Sequence, residues 1–336
     1  MKRIFILTAL SVLLGVASAS AQQIAVVTEG GETTVFQTLQ ATIEGASPGS
    51  VIYLPGGGFS ISDDVKITKK LTIIGIGHKS NNDNEDGSTI ITGNLWFNGG
   101  SSGSAVLGCY ITGEVYIGDD GASVNGVMVR CCNLNSVQVK NNLCQETIVN
   151  QNYIRGSSLF SQSNSKVFNN VSGAIIDING GLITNNIING RHEEGSAYTC
   201  VYARSIRAYN SNITKNIILP NYGNSYNFKY NKIEGSDNTI DHNMSQTDVG
   251  DSPINIGEVS WDDVFVDYNN GAISPMSNFH FKEVYKQYES QVGVYANGVD
   301  FDNQTAPVPY IVAKRIAEET DAAGQLKIQV RVKAGE

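Results

Sequence analysis

Val149-Asn150-Gln151-Asn152-Tyr153-Ile154-Arg155-Gly156 is the stretch that decides the fold. Its pattern is apolar-x-x-Asn-apolar-apolar, closed by Gly. The pattern returns as Phe168-Asn169-Asn170-Val171-Ser172-Gly173 and as Ile183-Thr184-Asn185-Asn186-Ile187-Ile188-Asn189-Gly190. It continues as Ile213-Thr214-Lys215-Asn216-Ile217-Ile218, Phe228-Lys229-Tyr230-Asn231-Lys232-Ile233 and Ile240-Asp241-His242-Asn243-Met244. Upstream, Val129-Arg130-Cys131-Cys132-Asn133-Leu134 reads as an earlier copy, and Cys109 takes the Asn place in Leu107-Gly108-Cys109-Tyr110-Ile111. The steps from Asn133 through Asn152, Asn170 and Asn186 are 19, 18 and 16 residues, followed by 30 to Asn216, 15 to Asn231 and 12 to Asn243. A coil of three short strands and three turns needs roughly 18 to 25 residues, so most steps fit one coil of a solenoid. The long step implies an insertion, and the last two are short for a coil.

Stacked coils lie about 4.8 Å apart in parallel sheets, so equivalent turn residues sit above one another. An Asn in such a turn tolerates a left-handed backbone, and its amide donates to one coil and accepts from the next. The expectation is an all-β parallel β-helix with a ladder through Asn133, Asn152, Asn170, Asn186 and Asn216. A β-sandwich would show longer strands with period-2 alternation instead. A solenoid must also cap its core. Val35, Phe36, Leu39 and Ile43 share one helix face, Thr34 with Gln37 makes a capping-box pattern, and Gly45 is a stop signal. After it, the stretch from Pro48 to Pro55 is expected to enter the first strand, and Lys70–Gly75 to open the next sheet position. At the other end, Leu326, Ile328, Val330 and Val332 alternate with polar residues, with Pro307 and Pro309 marking a linker before them.

Lys2 and Arg3, the apolar run Ile4–Ala17 and the small-x-small Ala19-Ser20-Ala21 read as a signal peptide over residues 1–21. The run is too short to span a bilayer, which takes about 20 residues. The boundaries expected are a solenoid with its N-terminal cap over 22–265 and a C-terminal cap and appendage over 266–336. Localisation is secreted, periplasmic or cell-surface. The chain carries 23 basic and 32 acidic residues, a balance of −9. That charge lacks the footprint of a nucleic-acid binder. The cysteines, Cys109, Cys131, Cys132, Cys144 and Cys200, are odd in number and lack zinc-type spacing. They read as buried free thiols in preference to disulfides.

The helix before the first coil, "GSVIYLP", "LTIIGIG" and the Asn coils resemble the pectin-lyase-like right-handed parallel β-helix superfamily, over residues from about 24 to 245. The C-terminal part resembles secreted Bacteroidetes-type β-helix proteins that mostly lack an assigned activity. The resemblance implies a right-handed parallel β-helix with an N-terminal capping helix and a small C-terminal β appendage. This scaffold hosts lyases, hydrolases and non-enzymes alike, so it implies no single activity.

The family's hydrolase motifs are incomplete in this chain. Gly118-Asp119-Asp120-Gly121 and Gly190-Arg191-His192 are 72 residues apart from Asp120 to His192, several coils, and Ser205-Ile206-Arg207 is a faint echo of a third motif. Paired catalytic carboxylates need about 5 to 9.5 Å, so Gly118–Gly121 reads as a solvated turn. For a lyase, Lys140 and Arg155 fall on neighbouring coils without a carboxylate partner nearby in sequence. Asn81–Gly87 resembles half a calcium loop but lacks the closing Glu, its place being taken by Gly93. No metal or cofactor is therefore assigned, calcium being the only cation the sequence brings up. The remaining cluster is the insertion before Asn216. Arg191, His192, Glu194, Tyr198, Tyr202, Arg204 and Arg207 could grip a sugar by bidentate hydrogen bonds and stacking, or could form a solvated, salt-bridged excursion. The expected function is a non-catalytic extracellular glycan-binding protein or structural scaffold with a polysaccharide partner. The alternative is a polysaccharide lyase or glycoside hydrolase acting on an acidic polysaccharide.

Overall fold

The computed structural model describes residues 24–28, 30–78, 88–189, 202–219, 230–257, 259–268, 275–299, 301, 310–320 and 326–333. The signal-peptide segment and the loop Asn81–Gly87 lie outside the described residues.

The chain winds through three sheets as a parallel β-helix. Among the described residues, sheet I has eleven strands, sheet II ten and sheet III seven. One turn of the path runs Met128–Arg130 in sheet I, Asn133–Leu134 in sheet II and Val137–Val139 in sheet III, then returns to sheet I at Ile148–Asn150. Within the coils, strands pair in parallel with their equivalents one coil away, as Val129 does with Val106 and Val149. Strands of two or three residues suffice because the solenoid propagates by stacking. In sheet I the middle side chain of each strand points inward, and Val106, Val129, Val149, Val167, Ile183 and Ile213 form one buried column of a single core. Between sheets II and III the coils touch by backbone. A Cβ on Gly113 would sit 2.5 Å from the Gly93 carbonyl oxygen, which explains the Gly that closes the repeat.

The turn between sheets I and II carries the ladder. Asn170 Nδ2 donates to Asn186 Oδ1 (3.0 Å), to Val149 O (2.9 Å) and to Phe168 O (2.9 Å), while its own Oδ1 accepts from Asn152 N and Nδ2 (both 2.9 Å). The same pattern links Asn186 to Asn216 and Asn216 to Asn243. Asn133 lies one place further on, opposite Tyr110 and Tyr153 in sheet II, and its Oδ1 accepts from Arg155. The ladder place in that coil belongs to Cys132, and in the coils before it to Cys109 and Thr89. Cys132 Sγ lies 3.1 Å from Arg130 O and 3.7 Å from Val106 O, the acceptors an Asn amide would use. Asn231 stands in sheet III opposite Ala203, so Asn216 to Asn243 is one coil of 27 residues.

The ladder Asn are not the left-handed residues of the turn. Those immediately precede them: Gln151 (φ 57°), Asn169 (54°), Asn185 (59°), Lys215 (57°) and His242 (50°), with Cys131 (51°) before Cys132. The reversal is absorbed one residue earlier because the ladder residue must already be extended to enter sheet II. What selects Asn there is its side-chain amide. Cys109, Cys131, Cys132 and Cys144 are free and buried. Burial pushes the Cys132 thiol up to about 12, which keeps it neutral.

At the N-terminal end, Ile24–Val27 pairs antiparallel with Thr33–Phe36 and with Val51–Tyr53, closing sheet I. The cap helix is Leu39–Gly45 and buries Leu39, Thr42 and Ile43. It starts later than the capping-box pattern suggests. Thr38 is its N-cap, accepting from Ala41 N, while Thr33–Phe36 is spent on a strand.

After the last sheet II strand, Ile254–Asn255, the chain turns back along the outside of the solenoid. Residues 261–268, 275–299 and 301 lie as a strap over the outer face of sheet II. Trp261, Phe265, Phe279, Phe281, Val292, Val294 and Phe301 bury the outward column Tyr153, Val171, Ile187, Ile217 and Met244. Gly293, at φ 77°, donates to Lys215 O (2.9 Å), and a Cβ there would meet Ile217 at 2.4 Å. Phe265–Asp267 and Asn278–Phe281 form a small antiparallel pair within the strap. Beyond it, Tyr310–Thr320 and Leu326–Lys333 form an antiparallel hairpin.

Candidate functional site

Sheet III presents a different outer face. Its strands alternate apolar-x-apolar, so the middle residue of each points outward: Leu95-Trp96-Phe97, Val115-Tyr116-Ile117, Val137-Gln138-Val139. Register puts Trp96, Tyr116, Gln138, Leu159, Ile176 and Arg207 in one row across the sheet.

The row begins with an aromatic stack. The Trp96 and Tyr116 rings lie 3.9 Å apart and 9° from parallel. Lys66 Nζ sits 3.5 Å from the Trp96 ring centre, and Lys140 Nζ lies 5.4 Å from that of Tyr116. Cations on electron-rich ring faces are attracted by the ring quadrupole. Carboxylates brace the stack from the side. Glu114 accepts from the Tyr116 hydroxyl, from Ser136 Oγ (2.5 Å) and from Asn135 Nδ2 (3.2 Å). Asp63 accepts from Asn94 Nδ2 (2.8 Å) and Trp96 Nε1 (3.4 Å), and Asn94 Oδ1 accepts from Glu114 N (2.9 Å). The Glu114 hydrogen bond, with smaller help from burial and nearby carboxylates, pushes Tyr116 up to about 12. Its hydroxyl is therefore a fixed donor at neutral pH and no proton acceptor.

Toward the far end of the row, where Glu234 follows Arg207 in register, stands an ion pair. Arg207 donates through Nε and NH2 to the two oxygens of Asp177, the second at 2.7 Å. Asp177 stands in a bulge with φ 64°, which turns its carboxylate toward the next strand. The pair holds the Arg207 guanidinium charged still more firmly than usual.

Of the residues expected from sequence to form a site, Arg207 is thus in the row. Tyr202 and Arg204 belong to the same strand, Tyr202–Tyr209, opposite Tyr230 and Lys232. Arg191, His192, Glu194 and Tyr198 lie outside the described residues. The motif-like Gly118–Gly121 is a braced turn, in which Asp120 accepts from Gly99 N (2.9 Å) and Ala122 N (3.1 Å). Lys140 and Arg155 are not neighbours in one groove. Lys140 caps Tyr116, whereas Arg155 binds Asn133 Oδ1, Ile111 O and Thr112 O and lies over the Tyr110 ring. Among the described residues no group of three or more His, Cys, Asp or Glu could hold a metal ion, and no helix is long and apolar enough to cross a membrane.

Sequence reasoning missed Trp96, Tyr116, Glu114 and Asp63. The signal was available. Trp96, Tyr116 and Gln138 follow one another at 20 and 22 residues, each between two apolar neighbours. No protein-family model, no curated protein and no solved structure matches the chain.

Proposed function

We propose that the chain is an exported β-helix protein, similar to the pectin-lyase-like superfamily, that holds a glycan along the outer face of sheet III without cleaving it. The observation that supports this reading is the row from Trp96 to Arg207. It combines an aromatic stack, two lysines, hydrogen-bonded carboxylates and a bidentate arginine on a rigid sheet. The row crosses five strand steps, ~24 Å at about 4.8 Å each, so its natural ligand is a polymer and not a single sugar. A pyranose ring takes the place of the flexible Lys66 over Trp96, and the ammonium moves to a ring oxygen. Glu114 and the Asp177–Arg207 pair supply polar contacts already fixed by their neighbours.

The test is electrophoresis in gels cast with neutral or acidic polysaccharides, alongside assays for unsaturated products and new reducing ends. The expected result is retardation in at least one gel, weakened by Trp96→Ala and by Arg207→Ala, with no turnover. Turnover of any polysaccharide overturns the non-catalytic reading. Retardation that both variants leave unchanged removes sheet III from it.

A further inference from the structure

The C-terminal hairpin carries an edge that matches a copy of itself. Among the described residues, Tyr310–Thr320 is hydrogen-bonded to Leu326–Lys333 and to no other strand. The register sets Ile316 opposite Ile328, Lys314 opposite Val330 and Ile311 opposite Val332. Two strands alone are marginally stable in water, and a third or fourth strand is the usual remedy. The outer edge of Tyr310–Thr320 is a row of backbone donors and acceptors open to strand addition.

Its sequence is Tyr310-Ile311-Val312-Ala313-Lys314-Arg315-Ile316-Ala317-Glu318-Glu319-Thr320. A basic block, Lys314-Arg315, and an acidic block, Glu318-Glu319, flank the centre Ile316-Ala317. In an antiparallel pair about that centre, the basic block of each strand lies across from the acidic block of the other, and two-fold symmetry repeats the match. A parallel pair in register would set like charge against like. The pairing with Leu326–Lys333 shifts register between Ile311 and Ala313 and between Ile316 and Thr320. The second shift sets Ala317-Glu318-Glu319 against Lys327 alone, so the acidic block occupies a single place along the edge, next to Ile316, and meets Arg315 of the copy there.

We propose that Tyr310–Thr320 pairs antiparallel with the same strand of a second copy of this chain, joining two hairpins into one four-stranded sheet. The contact is independent of whatever sheet III binds, and it would join two chains through one shared module.

The experiment is sedimentation velocity of the full chain from micromolar to near-millimolar concentration. It compares wild type with Lys314→Glu/Arg315→Glu, with Glu318→Lys/Glu319→Lys, and with an equimolar mixture of the two variants. Far-UV circular dichroism on each sample reports the fold. The expected result is a wild-type dimer, at least about tenfold weaker self-association in each variant, and recovery of a dimer in the mixture, where an acidic strand meets a basic one. A wild type that stays monomeric overturns the proposal. So does a dimer that both variants leave intact, because the contact then lies elsewhere.

Discussion

Sheets II and III share one core and one set of turns, yet their outer faces have opposite fates. The outward column of sheet II is Tyr153, Val171, Ile187, Ile217 and Met244, and it is sealed beneath the aromatic strap. The outward row of sheet III is Trp96, Tyr116, Gln138, Leu159, Ile176 and Arg207, and polar groups brace it. A parallel sheet is usually covered on both faces, and sheet II follows that rule with a strap of its own chain. Inward residues make the solenoid, and outward residues decide what lies on it.

Phe279→Ala should have the largest effect. Phe279 is buried against Tyr153, Trp261, Phe265 and Tyr268, and truncation should cost about 3–5 kcal/mol. If the strap is a cover, hydrogen exchange should rise over 261–301 while ladder amides stay protected. Equal loss at both would mean that strap and solenoid fold as one unit, and the contrast between faces would be less sharp.

Asn186→Ala strikes what the two faces share. It removes the acceptor for Asn170 N and Nδ2 and the donor to Val167 O and Thr184 O. A loss of about 3 kcal/mol is expected in urea denaturation, because buried polar groups are left without partners. Cys132→Asn should be tolerated within about 1 kcal/mol, since Asn152 Oδ1, Arg130 O and Val106 O already stand where a new rung needs them.

Trp96→Ala should cost about 1 kcal/mol of stability while weakening retention in polysaccharide gels, because a half-buried outward side chain contributes little to folding. A larger loss of stability without loss of retention would make the stack structural, like the strap.

The smallest expected effect is pH-dependent. Burial tends to raise the Glu289 pKa, but hydrogen bonds from Lys286, from Phe281 N and from His280 outweigh it, so the carboxyl sits below its ordinary value. A depressed folded pKa means stability that is present above the unfolded carboxylate range and lost as pH falls through the folded value. Exchange at Phe281 should therefore rise on acidification below about pH 4, and Glu289→Gln should flatten that dependence.

The repeat was legible because each ladder Asn performs the same local task in its own coil. Asn152, Asn170, Asn186 and Asn216 could be picked out by the apolar-x-x-Asn-apolar-apolar pattern. Asn133 could not be told from Cys132, because two polar-tolerant residues stand side by side and only register separates them. Asn231 imitated the repeat from within sheet III, where nothing local distinguishes an outward strand residue from a turn residue. The expected cap helix shifted from Thr34 to Thr38 because Thr33–Phe36 is needed as an edge strand against Ile24–Val27, a non-local demand.

The sequence by itself determined the solenoid. Short apolar triplets, left-handed turn residues and one amide per coil are local instructions, and stacking repeats them without long-range information. Tertiary structure alone decided the surfaces. Trp96 meets Tyr116, Asp177 meets Arg207 and Phe301 meets Tyr153 only after residues distant in the chain have been brought into register. The spacing of outward positions is legible, but not what each will meet, because no core constrains them and each is answered only by whatever neighbour the stacked coils place beside it.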